Sequence, residues 1–113
     1  MKSKTVMPKT LRIGPYKYTL KVDDAAILDY QSVGGEQVGA FTDPPHRSMT
    51  FASASSQPST TLHEVLHVLC DQSGLNIRLG SEREEDVIQS IEHLLLGVIR
   101  DNPALIAYLT APD

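Results

Sequence analysis

The chain is poor in aromatic residues and in cysteine. Its 113 residues include no Trp, two Phe, four Tyr and one Cys, while hydrophobic residues make up 41% of the sequence. One modest and mostly aliphatic core is therefore expected, within a single domain that spans residues 1–113. The single cysteine, Cys70, excludes an internal disulfide and is typical of a reducing compartment. We expect its side chain to be a small buried hydrophobe.

Long hydrophobic runs are also absent. No segment has the length and composition of a signal peptide or of a membrane span. The sequence therefore predicts a cytoplasmic protein that makes no use of a membrane. The oligomeric state is left open.

The charge is unevenly distributed along the chain. The formal net charge is −4, which argues against a nucleic-acid-binding protein taken as a whole. However, six of the ten Lys and Arg residues lie within the first 21 residues, which contain no Asp or Glu. A soluble basic terminus is the preferred interpretation, and a nucleic-acid-attracting arm is the alternative.

The first half of the chain has strand-like patterns. Alternation from Tyr16 to Val22, preceded by the turn at Gly14-Pro15, predicts a β-hairpin with residues 11–13. Residues 33–41 contain three glycines and predict a loop or a weak strand, and Ser48–Ala52 predicts a further short strand. We therefore expect an α+β fold in which a small N-terminal antiparallel or mixed sheet packs on two main helices.

The second half has helical periodicity. Leu62, Val65, Leu66 and Leu69 recur at helical spacing and predict a helix that starts near a capping box at Thr61, or at Ser59 or Thr60, and stops at Gly74. Ser81 and Glu84 form another capping box, which predicts a second helix from Ser81 to Arg100. Its expected inner face consists of Val87, Ile88, Ile91, Leu94, Leu95 and Val98. Asn102-Pro103 then predicts a short C-terminal helix, with residues 104–109 as further apolar cover.

The most informative segment is His63-Glu64-Val65-Leu66-His67. It matches H-E-x-x-H, a pattern in which two histidines one helical turn apart bind Zn²⁺. Both imidazoles then lie on one side of a helix and can converge on a single tetrahedral ion. Glu64 lies beside the same site, where it can accept a proton from a water molecule as a general base. The surrounding apolar spacing predicts the helix that this pattern requires.

A catalytic zinc site needs a third protein ligand and an open position for water. On a helical wheel of the second helix, Glu84 lies on the buried side and Glu85 on its flank. We expect Glu85 to be the third ligand, because Glu84 has a competing role in the capping box, and Glu84 stays the alternative. Glu92 lies seven residues after Glu85 on the same flank, and is expected to orient a ligating histidine.

These motifs resemble those of a family of small zincin-like metallopeptidases that are encoded by bacteriophages and prophages. The resemblance lies in Thr61–His67, in the acids that open the next helix, and in Asp101-Asn102-Pro103. The organisation is also similar to that of minimal single-domain gluzincins. The resemblance implies a zincin-like domain with a zinc cofactor, and a zinc metalloendopeptidase of the bacterial host cytoplasm. The site residues that it implies are His63, His67 and Glu85 as metal ligands and Glu64 as general base.

The implied substrate is a peptide or protein bound as an extended strand. In zincins the edge strand of the sheet pairs with the substrate, and Ser48–Ala52 has the matching position before the motif helix. Met49, Thr50 and Phe51 are therefore expected to border the cleft. Two other classes stay open, namely a catalytically weak zinc-stabilised binding protein and a regulator that uses the basic first 21 residues.

Overall fold

The computed structural model describes residues 6–113, which form an α+β structure as predicted. Within these residues the strands are β1 (Thr10–Ile13), β2 (Tyr16–Val22), β3 (Ala40–Asp43) and β4 (Ser48–Phe51). The helices are α1 (Asp24–Gly34), α2 (Pro58–Ser73), α3 (Leu75–Leu79), α4 (Ser81–Asp101) and α5 (Pro103–Leu109). The first five residues of the basic segment lie outside the described residues. Within residues 6–113, no helix combines the length and the apolar character needed to cross a membrane.

The four strands form one mixed sheet in the order β1-β2-β4-β3. The predicted hairpin is confirmed, since β1 and β2 pair antiparallel around Gly14, whose φ of 60° suits glycine. β2 pairs with β4 in parallel, and β4 pairs with β3 antiparallel. The weak strand expected within residues 33–41 is β3, which begins at Ala40.

Helix α1 was not expected from the sequence. It begins after Asp23, whose carboxylate accepts a hydrogen bond from the Ala26 backbone N–H at 3.0 Å, and it ends at Gly35 in the left-handed conformation. The helix lies beside β4, and its Tyr30 ring stacks on Phe41 of β3 with centroids 4.3 Å apart. The next residue, Thr42, points to the opposite face of the sheet, where it contacts Glu64 of α2. The molecule therefore has helices on both faces of the sheet.

The predicted position of β4 at the edge of the sheet is wrong. β4 lies between β2 and β3, so both of its edges are hydrogen-bonded to neighbouring strands. Met49, Thr50 and Phe51 are consequently buried in the sheet and do not border a cleft. The edge strand on this side is β3, which was predicted only as a loop or a weak strand.

Two hydrophobic clusters hold the elements together, and α2 contributes to both. In the first cluster, Val68 of α2 packs on the sheet with Ile13, Tyr18, Leu20, Met49 and Phe51. In the second cluster, Leu66 and Cys70 of α2 pack against Ile88 of α4, with Leu62 and Leu95 at its margin. Helix α4 therefore packs on α2, which lies between it and the sheet. The buried Cys70 confirms its predicted role as a small hydrophobe.

The expected inner face of α4 is only partly confirmed. Ile88 is buried and Leu95 packs beside it, but Val87, Ile91, Leu94 and Val98 are exposed. The reason is that α4 has one main packing partner, α2, so a single narrow stripe of its surface is covered. The short helix α5 begins at Pro103 as predicted, yet its Leu105, Tyr108 and Leu109 are exposed and provide little of the expected cover.

The helix starts also differ from the predicted capping boxes. Helix α2 begins at Pro58 with Gln57 as N-cap, because proline at the first position is pre-set for a helix. Helix α4 has Gly80 as its N-cap, without a side-chain hydrogen bond to the cap. The predicted end of α2 is confirmed at Gly74, which has a φ of 81°.

Substituting Phe51 by Ala should lower the free energy of unfolding by about 3–5 kcal/mol, because Phe51 is fully buried between the sheet and α2. Chemical denaturation followed by circular dichroism measures this change. The matched control is Leu28→Ala on α1, where the exposed side chain should cost less than about 0.5 kcal/mol. Equal losses in the two variants would contradict the described core.

Candidate metal centre

The two motif histidines lie on the side of α2 between its two hydrophobic clusters. His63 and His67 are one helical turn apart, and their side chains are 21% and 24% exposed. The imidazole rings meet edge to face with centroids 4.8 Å apart, and their Nε2 atoms are 3.2 Å apart. The predicted placement of the pair on one helix side is therefore confirmed.

Helix α4 reaches these histidines because it runs antiparallel to α2. Leu66 and Cys70 of α2 share one hydrophobic cluster with Ile88 of α4, and Leu62 and Leu95 pack at its margin. The polar contacts between the two helices show the antiparallel direction. His67 meets residues at the start of α4, and His63 also meets a residue more than a turn later.

Glu85 is the acid that faces both Nε2 atoms. Its Oε1 is 3.1 Å from His63 Nε2, and its Oε2 is 2.9 Å from His67 Nε2. One atom from each of the three side chains lies within 4.8 Å of the others, which makes the group a candidate cation site. The structure thus brings together the three residues expected as ligands. Glu84 does not join the group through its carboxylate, because that carboxylate contacts the far side of an imidazole.

The donor set fits zinc in number and kind. Two imidazole nitrogens and one carboxylate oxygen are the protein ligands of one known class of catalytic zinc site. With zinc–ligand bonds of about 2.0–2.2 Å, ligand atoms at the corners of a tetrahedron are about 3.3–3.6 Å apart. The two Nε2 atoms are 3.2 Å apart, and each lies 2.9–3.1 Å from a different carboxylate oxygen of Glu85, which is slightly shorter than that range. Small side-chain movements would suffice to bind an ion.

The far side of each imidazole contacts a different carboxylate. His63 Nδ1 contacts Glu92 Oε2, and His67 Nδ1 contacts Glu84 Oε2. An Nδ1–H that donates to a carboxylate fixes the tautomer in which Nε2 carries the free lone pair. Both rings are therefore held with Nε2 toward Glu85, and Glu92 has the orienting position expected from the sequence.

Glu64 occupies a different place from the three candidate ligands. Its side chain is buried at 5% exposure, and Thr42 of β3 donates a hydrogen bond from Oγ1 to Glu64 Oε1 at 2.7 Å. The bond links the motif helix to the edge strand of the sheet. It restrains one carboxylate oxygen and leaves Oε2 to interact with a molecule in the cleft.

A cleft of about 1070 Å³ opens between β3, α2 and α4, and the candidate ligands lie on its wall. Gly39, Ala40, Phe41 and Thr42 line it along the edge strand. Within the described residues, the lining contains no Lys or Arg. Its carboxylates are Glu36, Glu64, Asp71, Glu82, Glu84, Glu85 and Glu92. The cleft is therefore strongly negative in the absence of a bound cation.

Cys70 lies close to this region but takes no part in the candidate ligand group. Burial raises the pKa of its thiol, and the negative charge of Glu84 raises it further. A thiol with a raised pKa stays protonated at neutral pH and is a poor metal ligand. His46 and His93 are exposed, and each lies beside an acid that is a near neighbour in sequence.

Sequence reasoning missed Thr42 and the orienting role of Glu84. Thr42 is 22 residues from Glu64 in sequence, and the strand pairing that carries it there has no local signal. Glu84 did have a signal, because the helical wheel placed it on the buried side of α4. The capping-box pattern gave it a competing role that the structure does not show.

Comparisons of the chain with protein-family models, with curated proteins and with solved structures found no match. The interpretation of the site therefore depends on its own geometry and chemistry.

Proposed function

We propose that the protein is a zinc-dependent metallopeptidase of the gluzincin type. The observation that carries this proposal is the convergence of His63 Nε2, His67 Nε2 and Glu85 on one point. The buried Glu64, on the same helix, is outside this group and contacts Thr42. The three converging side chains would hold zinc, and Glu64 would be the general base. When bound, zinc would lower the pKa of a water molecule and polarise the scissile carbonyl.

The number of ligands favours a catalytic site over a purely structural one. Structural zinc sites usually have four protein ligands, whereas catalytic sites have three and keep one position open. Within the described residues, the candidate group has three members and opens onto the large cleft. A zinc-stabilised binding protein would have no need of a base held beside such an opening.

The hydrogen bond from Thr42 defines how Glu64 would act. Because Oε1 accepts the threonine hydroxyl, Oε2 is the oxygen that can accept a proton from water. The same carboxyl group would then donate that proton to the leaving amine. Glu84 and Glu92 would keep the two imidazoles in the tautomer that leaves Nε2 as the metal-binding atom.

The substrate strand is proposed to lie along β3. This strand is at the edge of the sheet and lines the cleft, so its outer backbone groups can pair with an extended peptide. Pairing with β3 would pass a peptide bond near the candidate ligands, because Thr42 of this strand already contacts Glu64. This arrangement replaces the role expected for β4.

The charge of the cleft favours basic peptides over nucleic acid. Glu36, Asp71 and Glu82 line the cleft in addition to the acids of the site, and bound zinc would offset only part of this charge. A negative cleft attracts Lys and Arg side chains and repels phosphate groups. We therefore propose substrates with basic residues near the cleaved bond.

We predict that the metal-free protein binds one zinc ion per chain. Elemental analysis after dialysis against zinc measures the ratio, and the melting temperature should rise because zinc binds the native state. His63→Ala, His67→Ala and Glu85→Ala should each abolish this binding. Glu92→Gln should weaken it by about 10–100-fold, since the carboxylate only orients His63.

The matched control for the histidine variants is His93→Ala. His93 is exposed and lies near the cleft, but it is not in the candidate ligand group. Its substitution should leave the zinc content unchanged. A full zinc content in the Glu85→Ala variant would contradict the proposed third ligand.

Substituting Glu64 by Gln should lower peptidase activity by at least about 100-fold, because a general base contributes about 10²–10⁴-fold to rate. The zinc content should stay at one per chain, since Glu64 lies outside the ligand group. The assay follows cleavage of an unstructured, lysine-rich protein by mass spectrometry. A zinc-loaded parent protein that cleaves nothing in this assay would support the binding-protein alternative.

Substituting Thr42 by Val should lower kcat by about tenfold, because the loss of a hydrogen bond to a charged group leaves Glu64 poorly oriented. The KM and the zinc content should stay close to the parent values. Thr42→Ser is the matched control, since it keeps the hydroxyl and should keep most of the activity. A loss of activity that is equal in the two variants would argue for a packing role of Thr42.

A further inference from the structure

Helix α4 carries an exposed apolar stripe that the described structure leaves uncovered. Its members are Val87, Ile91, Leu94 and Val98, named together here as the α4 stripe. In that order they are 43%, 43%, 74% and 45% exposed. Their spacing of four, three and four residues is that of a helix seam that packs on another helix. Side chains at this spacing are ordinarily buried by a partner helix.

The α4 stripe faces away from the candidate metal centre. With 3.6 residues per turn, the stripe is centred about 90° around the helix from the buried Ile88. Glu85 lies about 60° from Ile88 in the opposite direction. A partner on the stripe would therefore leave the cleft open.

The stripe is self-complementary when two copies of α4 run antiparallel. A two-fold axis that passes between Glu92 and His93 places Ile91 opposite Leu94 of a second copy. The same axis places Val87 opposite Val98 of the second copy. Each apolar side chain of the stripe thereby meets an apolar side chain.

Two charges beside the stripe obey the same symmetry. Arg83 and Asp101 are eighteen residues apart, which is about five helical turns, so both lie on one flank of the stripe. The two-fold axis brings Arg83 of one copy to within about one residue of Asp101 of the other. Both residues are exposed, and within residues 6–113 neither has an ion-pair partner. The antiparallel pair would contain this oppositely charged contact twice.

We propose that the protein forms a two-fold symmetric dimer through an antiparallel pair of α4 helices. The occupant of the stripe is a second copy of the chain. One two-fold axis brings the apolar side chains of the two stripes together and also places Arg83 of each copy near Asp101 of the other. The dimer would leave the two clefts open on its outer sides.

Sedimentation velocity across a range of protein concentrations tests the proposal. The parent protein should sediment as a dimer, at twice the chain mass of 12.4 kDa, and dissociate on dilution. Leu94→Glu should make it monomeric at every concentration, because the dimer would bury two carboxylates opposite Ile91. Leu28→Glu, an equal change at an exposed position on α1, should leave the dimer intact.

A charge exchange tests the symmetry itself. Arg83→Glu or Asp101→Arg alone should weaken the dimer between about twofold and 30-fold, since each change removes both exposed ion pairs. The double variant, Arg83→Glu with Asp101→Arg, should return the dissociation constant to within about twofold of the parent value. Arg100→Glu, which makes the same charge change about 100° away from Asp101, should have no effect on the dimer.

Circular dichroism verifies that each variant is folded, which is expected because all the substituted side chains are exposed. A parent protein that is monomeric at every concentration would overturn the proposal. A dimer that survives Leu94→Glu, or a charge exchange that fails to restore affinity, would also overturn it.

Discussion

The antiparallel packing of α4 on α2 is the contact on which the rest of the site depends. Ile88 packs with Leu66 and Cys70, and this apolar contact determines which acids of α4 face the motif histidines. A shift of α4 by one residue would move each acid by about 1.5 Å and turn it by about 100°. Glu85 would then no longer face both Nε2 atoms. The apolar stripe of α2 is thus as necessary to the site as the histidines.

Charge provides the second constraint. Glu85 contacts both motif imidazoles, while Glu84 contacts that of His67 and Glu92 that of His63. Glu64 is also buried on the motif helix. Carboxylates gathered in this way repel each other unless a cation lies among them. A divalent ion at the candidate site would reduce this repulsion and would tie α4 to α2 by direct bonds. Metal binding and helix packing are therefore expected to stabilise one another.

The sequence predicted the parts of the site that depend on helical periodicity. His63 and His67 lie four residues apart, and the wheel of α4 gave Glu85 and Glu92 a shared flank, so local geometry sufficed. Thr42 could not be predicted, because its position depends on which strand pairs with β4. Residues 48–51 looked like an edge strand for the same reason, since a sequence does not state how many neighbours a strand has.

The helices illustrate the same limit. Helix α1 was missed because only Ile27 is buried, so its sequence has little amphipathic pattern. Apolar residues on α4 cover two faces, and periodicity alone could not tell the face packed on α2 from the exposed one. Periodicity identifies a helix and its apolar side, whereas the neighbour that covers this side depends on the whole topology.

The parallel pairing of β2 with β4 has a consequence for the order of assembly. Thr19 pairs with Ser48, so the sheet requires closure of a loop of about 30 residues, whereas α2 and α4 are joined by one short helix. Local helical contacts generally form sooner than such distant strand pairs. The candidate ligands all belong to the helical half, and Thr42, which contacts Glu64, lies on β3, a strand that within residues 6–113 pairs only with its chain neighbour β4. The candidate site is thus expected to assemble without the distant closure, and the β1–β2 hairpin is expected to join the sheet afterwards.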